Sequence, residues 1–444
     1  MHGVIGRMLR RKLLLPDERR FATVVGRQET RIWREEARNS RVPRSGSRRV
    51  GRISGAVVAV ALVALAGAAG CSGSASAPGA ASGAGAGSSA ADVSGGQVDV
   101  TAYARCDGGD DTAGLKAALG AMRAGQTLVI PAGVTCRHSS VLSVTTSGVH
   151  LAGPGTLLAT DERASGVWID ADDVIVDGGL TLKITGTTRR WNTYEQMKLR
   201  LVNGRKNITI RNVTIDGSAG AGIFIGNVSH FLLDHVTVLN SQGDGIHMTN
   251  GSHDGVVDQA TVKGAGDDGI AVVSYRSNRE PCHDIQVRSP VVEANSWGRG
   301  VSVVGGVRIT YSDISVDSSN AAAVYIAQER SYQTYGVSNV RVLGGRLVHS
   351  NTNSSVDHGA VLVYASESGY GVKDVTISDL TITDTRDTAT RNVGVVSVGG
   401  GSIQGVALNR FTISGGPTRS FSSNIDSGYS ATGWTVDGRA VADR

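Results

Sequence analysis

The sequence contains few proline, cysteine and aromatic residues for its length: 8 Pro, 4 Cys and 5% aromatic residues among 444. The low cysteine content excludes a small disulfide scaffold, and the absence of a sustained heptad pattern excludes a coiled coil. A single long apolar run excludes a protein with several membrane-spanning helices. One large domain remains, and the whole sequence is rich in glycine, of which there are 60.

The net positive charge of the sequence comes from its first 70 residues. Residues 1–70 contain 15 Lys and Arg against 5 Asp and Glu, whereas residues 71–444 contain 29 against 34. The domain itself is therefore slightly acidic. Because nucleic acids bind basic surfaces, we do not expect a nucleic acid partner.

The N-terminal segments have the order of an export signal. A basic leader (1–52) precedes eighteen uncharged, mostly apolar residues (53–70) and then Cys71. The sequence Ala68-Ala69-Gly70-Cys71 resembles a bacterial lipobox, which implies lipidation of Cys71 and a membrane anchor. A cleaved signal without lipid and a single anchoring helix are the alternatives.

The segment after Cys71 is a linker. Residues 72–96 are almost entirely Gly, Ala and Ser with one charge, Asp92, and such a composition cannot fold by itself. We therefore prefer the lipoprotein interpretation, with the linker holding the domain (97–444) away from a membrane. Residues 1–41 add nothing to the signal, so we expect the translation start to lie further downstream.

Three cysteines follow Cys71. An exported protein meets an oxidising compartment, so Cys106 and Cys136, which are close in the chain, are candidates for a disulfide, and Cys282 is left over. No Cys or His spacing typical of a structural zinc site occurs.

A repeat is the main structural signal. From about residue 200, apolar residues recur one and three places after an aligned column of small residues, namely Gly222, Gly245, Gly269, Gly300, Ala323 and Gly359. This spacing is typical of one short strand with alternating burial per repeat. Intervals of 23 or 24 residues with strands, Asn, Asp and Gly but no helix predict a parallel β-helix. A β-propeller, the main alternative, needs roughly 40 residues per blade.

The first part of the domain has the features of an entrance to the same solenoid. Asp110-Asp111-Thr112 precedes a stretch with Leu115, Ala118, Leu119 and Met122 on one helical face, which predicts a capped helix over the open first coil. The order of these segments resembles the N-terminal region of pectate-lyase-superfamily proteins. That resemblance implies an all-β fold, a single-stranded right-handed parallel β-helix with an N-terminal capping helix.

Carboxylates occupy one position of the repeat in two successive coils. The residue before the aligned small residue is Asp244 in one coil and Asp268, preceded by Asp267, in the next. Adjacent coils stack ~4.8 Å apart, so we expect the three acids to lie side by side. Like charges at that distance keep one acid protonated beside an ionised neighbour, as glycoside cleavage requires. Alternatively, Gly-Asp-Gly and Gly-Asp-Asp-Gly are merely turns.

The motifs Asn240-Ser-Gln-Gly-Asp244-Gly, Gly266-Asp267-Asp268 and Gly298-Arg299-Gly resemble the polygalacturonase-like family 28 glycoside hydrolases. The resemblance implies that Asp267 is the general acid and that Asp244 and Asp268 activate water. The sequence departs from the family at two places. Arg299 replaces a histidine, and Tyr325-Ile-Ala327 replaces the Arg-Ile-Lys that grips the substrate carboxylate, so a neutral or differently charged glycan fits as well as galacturonan.

Arg299 has two further interpretations. It could neutralise the acids as a structural ion pair. Stacked acids with an arginine also resemble β-helix pectate lyases, in which the acids hold calcium, so a calcium-dependent polysaccharide lyase is an alternative enzyme.

Several other side chains are candidates for binding the substrate. His247 is expected to face outward beside Asp244 and to contact a sugar hydroxyl. Trp297, Tyr325 and Tyr275 are candidates for stacking on sugar rings, although packing in the core or a loop is the alternative for each. Arg299 is a further candidate for binding the substrate.

Together these observations predict an exported glycoside hydrolase, either a cell-surface lipoprotein or a secreted protein, acting as a monomer on an extracellular or envelope polysaccharide. No cofactor is expected, apart from Ca²⁺ under the lyase alternative. A glycan-binding or structural envelope solenoid without catalysis is the alternative from another class, because fold does not fix function.

Overall fold

The computed structural model describes residues 96–191 and 193–444. The leader, the apolar segment, Cys71 and residues 72–95 of the linker lie outside the described residues. Within the described part of the chain, no helix has the length and apolar character needed to cross a bilayer.

The domain is a right-handed parallel β-helix, as the repeat predicts. Each coil contributes one strand to a first sheet of 11 strands and its remaining strands to a second sheet of 23 strands. The strands of the described residues pair in parallel, apart from Arg439–Ala440, which pairs antiparallel with Thr435–Val436 at the C-terminal end.

The first sheet stacks one short strand from each coil. Its strands are Leu142–Val144, Val167–Ile169, Leu199–Leu201, Ile223–Gly226, Ile246–Thr249, Ile270–Val273, Val301–Val304, Val324–Gln328, Val361–Ala365, Val393–Ser397 and Phe421–Ser423.

The second sheet contains two rows of strands, which merge into single long strands in three late coils. The first row is Gln97–Asp99, Thr127–Val129, His150–Ala152, Ile175–Asp177, Lys206–Arg211, Ser229–Asp234, His253–Asp258, His283–Arg288, Ser402–Asn409 and Tyr429–Thr432. The second row is Thr135–His138, Thr156–Ala159, Thr181–Ile184, Thr214–Ser218, Thr237–Ser241, Thr261–Lys263, Val291–Glu293, Thr412–Ser414 and Thr435–Val436. The merged strands are Gly306–Asp317, Val337–Val348 and Gly371–Thr383.

The strand register confirms most of the predicted repeat. Ile223, Ile246, Ile270, Val301 and Val324 occupy one stacked column. The last coil was misaligned by one residue.

In that last coil Val361 pairs with Val324, so Ala360 and not Gly359 lies beside Ala323. Gly359 has a φ of +77° and belongs to the turn that ends a long insertion, so the strand begins one residue later than the glycine indicated.

The recurring glycines mark a corner too crowded for a side chain. A Cβ on Gly245 would lie 2.3 Å from Val262 Cγ1 and 2.6 Å from the carbonyl oxygen of Gly269. Gly269 has the same relation to Val292, at 2.4 Å. Close approach of the next coil, and not positive φ, therefore explains the glycine column.

The predicted helix covers the N-terminal end of the solenoid. Helix α1 spans Thr112–Ala121, buries Leu115, Ala118 and Leu119, and packs against the strands Thr135–His138 and Leu142–Val144. The described residues also contain three short 3₁₀ helices, at Val100–Ala102, Glu162–Ala164 and Tyr194–Gln196.

The cap is also held by a covalent bond. A disulfide joins Cys106 to Cys136, so it links the segment before α1 to the strand Thr135–His138. Cys282 is a free, buried cysteine.

Candidate active site

The outer face of the first sheet is covered, unlike that of the second. Strands such as Ile246–Thr249 and Ile270–Val273 are buried at every position, whereas Ser229–Asp234 in the second sheet alternates buried with more exposed residues. The inward residues belong to the solenoid core, and outward residues such as Ala271 and Tyr325 form a separate cluster. Loops at both edges of the first sheet therefore enclose this face.

At the edge where the first-sheet strands begin, the enclosing loop is residues 185–191. Gln242 donates a hydrogen bond to Thr187 Oγ1 at 3.1 Å, and Arg190 Nη1 lies 2.5 Å from Asp267 Oδ2. This loop therefore reaches directly over the predicted acids.

At the edge where the strands end, the loops at residues 275–283, 328–336 and 366–370 interlock. Tyr275 pairs with Thr334 in an isolated bridge, the Arg276 amide donates to the Gln333 carbonyl at 2.8 Å, and the Arg330 amide donates to Ser366 Oγ at 2.8 Å. These loops form a wall opposite the acids.

The structure brings the three acids together, as the stacking predicts. The Asp268 amide donates a hydrogen bond to Asp244 Oδ1 at 3.1 Å across adjacent coils, and Asp267 directly precedes Asp268. They lie outside the apolar core of the solenoid. The residues are only 7%, 8% and 4% exposed for Asp244, Asp267 and Asp268, so the cluster is more enclosed than an open surface patch.

Asp244 is held in its charged form. Burial alone would raise its pKa, but the His247 hydrogen bond, the charges of His247 and Arg190 and the Asp268 amide together hold the pKa of Asp244 below its usual value. His247 Nδ1 bonds Asp244 Oδ2 directly.

Asp268 has both carboxylate oxygens engaged. Oδ1 accepts the Arg299 amide at 2.7 Å, and Oδ2 accepts the Ser302 hydroxyl at 2.6 Å. The Arg299 guanidinium is a further 3.5 Å from Oδ1. Burial raises the pKa of Asp268, although Arg299 and Ser302 favour its charged form.

Asp267 differs from both neighbours. Burial and the charges of Asp244 and Asp268 raise the pKa of Asp267 to about 7, although Arg190 opposes the shift. Its Oδ1 accepts no hydrogen bond from the described residues, and 11% of the side chain is exposed. Asp267 is therefore the acid of the cluster that combines a raised pKa with an unoccupied oxygen.

Arg299 is an ion-pairing residue, as one of the alternatives predicted. Its guanidinium lies over the Tyr325 ring, 4.4 Å from the centroid, and Nη2 donates to Glu329 Oε1 at 3.0 Å. With Asp268 on its other side, Arg299 links two carboxylates across the outer face of the first sheet.

Glu329 and Arg190 are site residues that the sequence analysis missed. Glu329 directly follows the strand Val324–Gln328, and the Tyr325 hydroxyl donates to its Oε1 at 2.7 Å. Burial raises the pKa of Glu329, against the influence of Arg299 and Tyr325. Glu329 lies at the start of the 328–336 loop, directly after a strand, and this position could have identified it from the sequence. Nothing in the sequence pairs Arg190 with an acid 77 residues away.

Tyr325 was wrongly proposed for stacking on a sugar. It faces outward but is only 2% exposed, because Arg299 covers its ring and the His358 ring stacks at 5.3 Å with an interplanar angle of 6°. His247 also faces outward but is only 4% exposed, stacked 5.3 Å from Phe224. Its contacts favour positioning Asp244 over touching a sugar.

The side chains of Trp297 and Tyr275 are partly exposed to solvent. Trp297 is half-buried in the turn before Arg299, and Tyr275 is half-buried in the wall at the opposite edge. Both stay predictions as sugar contacts.

The acids do not fit a calcium site. Among the described residues, the set of His, Cys, Asp and Glu whose ligand atoms lie within 4.8 Å of one another is Cys106, Asp111 and Cys136, and its two sulfurs form the disulfide. The Asp244 and Asp268 oxygens instead accept hydrogen bonds from protein donors, whereas calcium needs several convergent free oxygens.

Comparisons with known proteins agree with the fold. A family model described as a right-handed β-helix region matches residues 132–341. Among curated protein sequences, none matches this chain significantly.

Solved structures with the same architecture have diverse functions. An exopolygalacturonase from Thermotoga maritima has a TM-score of 0.55 at 13% identity, covering 78% of this chain and 93% of that one. A mannuronan C-5 epimerase A-module from Azotobacter vinelandii has a TM-score of 0.53 at 17% identity, covering 76% and 98%. A surface adhesin of Streptococcus pneumoniae has a TM-score of 0.57 at 15% identity, covering 77% and 90%. Identities this low establish the fold alone, so function must be argued from the site.

Proposed function

We propose that this chain, a right-handed parallel β-helix protein of the pectate-lyase-like superfamily, hydrolyses glycosidic bonds in a polysaccharide. The observation that carries the proposal is the contrast between two adjacent acids: the pKa of Asp267 is raised to about 7, whereas that of Asp244 is held below its usual value. Neighbouring carboxyl groups with divergent pKa values are the arrangement used for paired acid and base catalysis.

The proposed reaction uses the free oxygen of Asp267. Protonated Asp267 donates its proton to the glycosidic oxygen as the bond from that oxygen to the anomeric carbon breaks. A water molecule attacks the anomeric carbon, and its proton passes to a carboxylate of the Asp244 and Asp268 pair. His247, bonded to Asp244, orients that carboxylate. The low exposure of the acids strengthens each electrostatic contact with the transition state.

We also propose that the protein acts outside the cytoplasm, as a monomer. The Cys106–Cys136 disulfide supports an oxidising compartment. Lipidation at Cys71, which would add a membrane anchor, is part of the same proposal and can be measured by mass spectrometry of the mature N-terminus.

The test is incubation of the purified protein with a panel of polysaccharides, followed by mass spectrometry of released sugars. Hydrolysis yields saturated products with new reducing ends, and we expect chelator to leave the rate unchanged. A product with an unsaturated ring, formed only with calcium, would instead establish the lyase. Glycan binding without any product would establish a binding protein.

A further inference from the structure

Glu329 brings a fourth carboxyl group to the acid cluster, from the opposite edge of the first sheet. Its Oε1 accepts hydrogen bonds from both Tyr325 and Arg299, at 2.7 and 3.0 Å. Its Oε2 accepts none from the described residues, although only 9% of the side chain is exposed. The side chain is almost buried and Oε2 is its oxygen without a protein donor in the described chain, so this atom is available to a ligand that supplies a donor.

The positive charges around the cluster are already engaged by its own acids. Arg190 pairs with Asp267, and Arg299 pairs with Asp268 and Glu329. In the opposite wall, Arg276 lies 2.9 Å from Glu367 and 4.4 Å from the Tyr370 ring centroid.

The balance of charge is therefore not positive. Four carboxyl groups, those of Asp244, Asp267, Asp268 and Glu329, face two guanidinium groups. His358, stacked on Tyr325, adds no charge, because burial holds its pKa well below the usual value. Arg391, whose charge also acts on His358, lies 3.9 Å from an Asp357 oxygen. With Asp244, Asp268 and Glu329 ionised and Asp267 protonated, three carboxylates face the two guanidinium groups, so the site has no surplus positive charge.

A sugar carboxylate would meet unfavourable electrostatics here. It would approach like charges in a poorly hydrated site, and it could gain an arginine only by separating that arginine from its acid. A sugar hydroxyl, in contrast, supplies the donor that Glu329 Oε2 lacks.

We propose that the site takes an uncharged glycan, and that Glu329 is the specificity-determining residue, with Oε2 accepting a ring hydroxyl and disfavouring a uronic acid at that subsite. The inference rests on the proposed function for the position of the glycan. It does not require that the bound glycan be cleaved.

The experiment compares glycans that differ only in charge. Polygalacturonate and alginate are each paired with their carboxyl-reduced forms, and neutral glucans, galactans and xylans complete the panel. Binding to the full chain is measured by biolayer interferometry at 4 °C, separately from product release. We expect the reduced form of a bound pair to bind at least ~10-fold more tightly, as one unfavourable charge contact of moderate strength implies.

Variants of Glu329 test the residue itself. Glu329→Gln should bring the affinities for the charged and the carboxyl-reduced glycan within about threefold of each other, mainly because the charged form binds better. Glu329→Lys should bind the charged form more tightly than the reduced form. Glu293→Gln is the matched control, because it removes a carboxylate in the second sheet that pairs with Lys263, and we expect it to leave the preference unchanged. Thermal unfolding of each variant verifies that it is folded.

Several outcomes would overturn the inference. Tighter binding of the uronic forms to the wild-type protein would do so, as would an unchanged preference in folded Glu329→Gln. Binding of no glycan in the panel would contradict both the inference and the proposed function. Binding of an uncharged glycan without product would support the inference and contradict only the hydrolase.

Discussion

Asp244 Oδ1 accepts the backbone amide of Asp268 at 3.1 Å, although 24 residues separate the two in the chain. The contact exists because parallel strands of adjacent coils pair in register, which places equal positions of the repeat next to each other. The result is a cluster of like charges in a poorly hydrated site.

Substitution of Asp267 should abolish glycan cleavage without unfolding the domain. Asp267→Asn removes the proton that the leaving oxygen needs, and we expect a loss of at least ~100-fold in kcat, the lower range for a general acid. Release of reducing ends measures the rate, and circular dichroism verifies the fold. Asp258→Asn, on a half-buried strand of the second sheet, is the control. Full turnover in Asp267→Asn would remove this residue from the mechanism.

The rate should fall as pH rises through about 7. Asp267 acts in its protonated form, and its pKa is raised to about 7, so the general acid is lost above that pH. Arg190 lowers this pKa, so Arg190→Gln should move the alkaline limb of kcat/KM to higher pH. Arg211→Gln, which breaks an exposed pair with Asp234, should leave the limb in place. A limb that moves to lower pH in Arg190→Gln would contradict the assignment.

Removal of a buried lysine should stabilise the domain, most of all at low pH. Burial lowers the pKa of Lys198 to about 7, and its Nζ lies 3.0 Å from Ser165 O and 3.4 Å from His138 Nε2, with no carboxylate bonded to it among the described residues. The unfolded chain binds this proton up to a pH near 10.4, so the native state gains stability as pH rises from about 7.

Lys198→Met should therefore raise the free energy of unfolding by about 1–2 kcal/mol at pH 6 and by less at pH 9, since an uncompensated buried charge is removed. Urea unfolding at the two pH values measures the difference. Lys206→Met, at an exposed position, is the control. A larger gain at pH 9 than at pH 6 would contradict the lowered pKa of Lys198.

Loss of the Cys106–Cys136 disulfide should weaken the N-terminal cap. The bond closes a loop with a sequence separation of 30 that contains α1, so replacing both cysteines with serine should cost about 3–4 kcal/mol of the free energy of unfolding. Dithiothreitol should lower the stability of the wild-type protein and leave the double variant unchanged. Equal stability of the two proteins without reductant would show that the cap does not depend on the disulfide.

The sequence predicted the fold because the fold repeats. Each coil meets the same constraint at the crowded corner, so Gly245 and Gly269 recur at the spacing of a coil and reveal the register. The prediction failed in the coil that follows the long insertion, where the spacing changes. Ala360 occupies the aligned position there, and Gly359, which has a positive φ, lies in the turn before it.

The sequence by itself determined the solenoid, its cap and the meeting of Asp244, Asp267 and Asp268, because backbone pairing between coils depends on periodic spacing along the chain. Only the tertiary structure decided what surrounds these acids. Arg190 and Glu329 reach them from non-repeating loops at opposite edges, and Arg299 and His358 cover Tyr325. Such contacts depend on loop paths and side-chain directions that obey no period, and they set the pKa of Asp267 and the charge that a substrate meets.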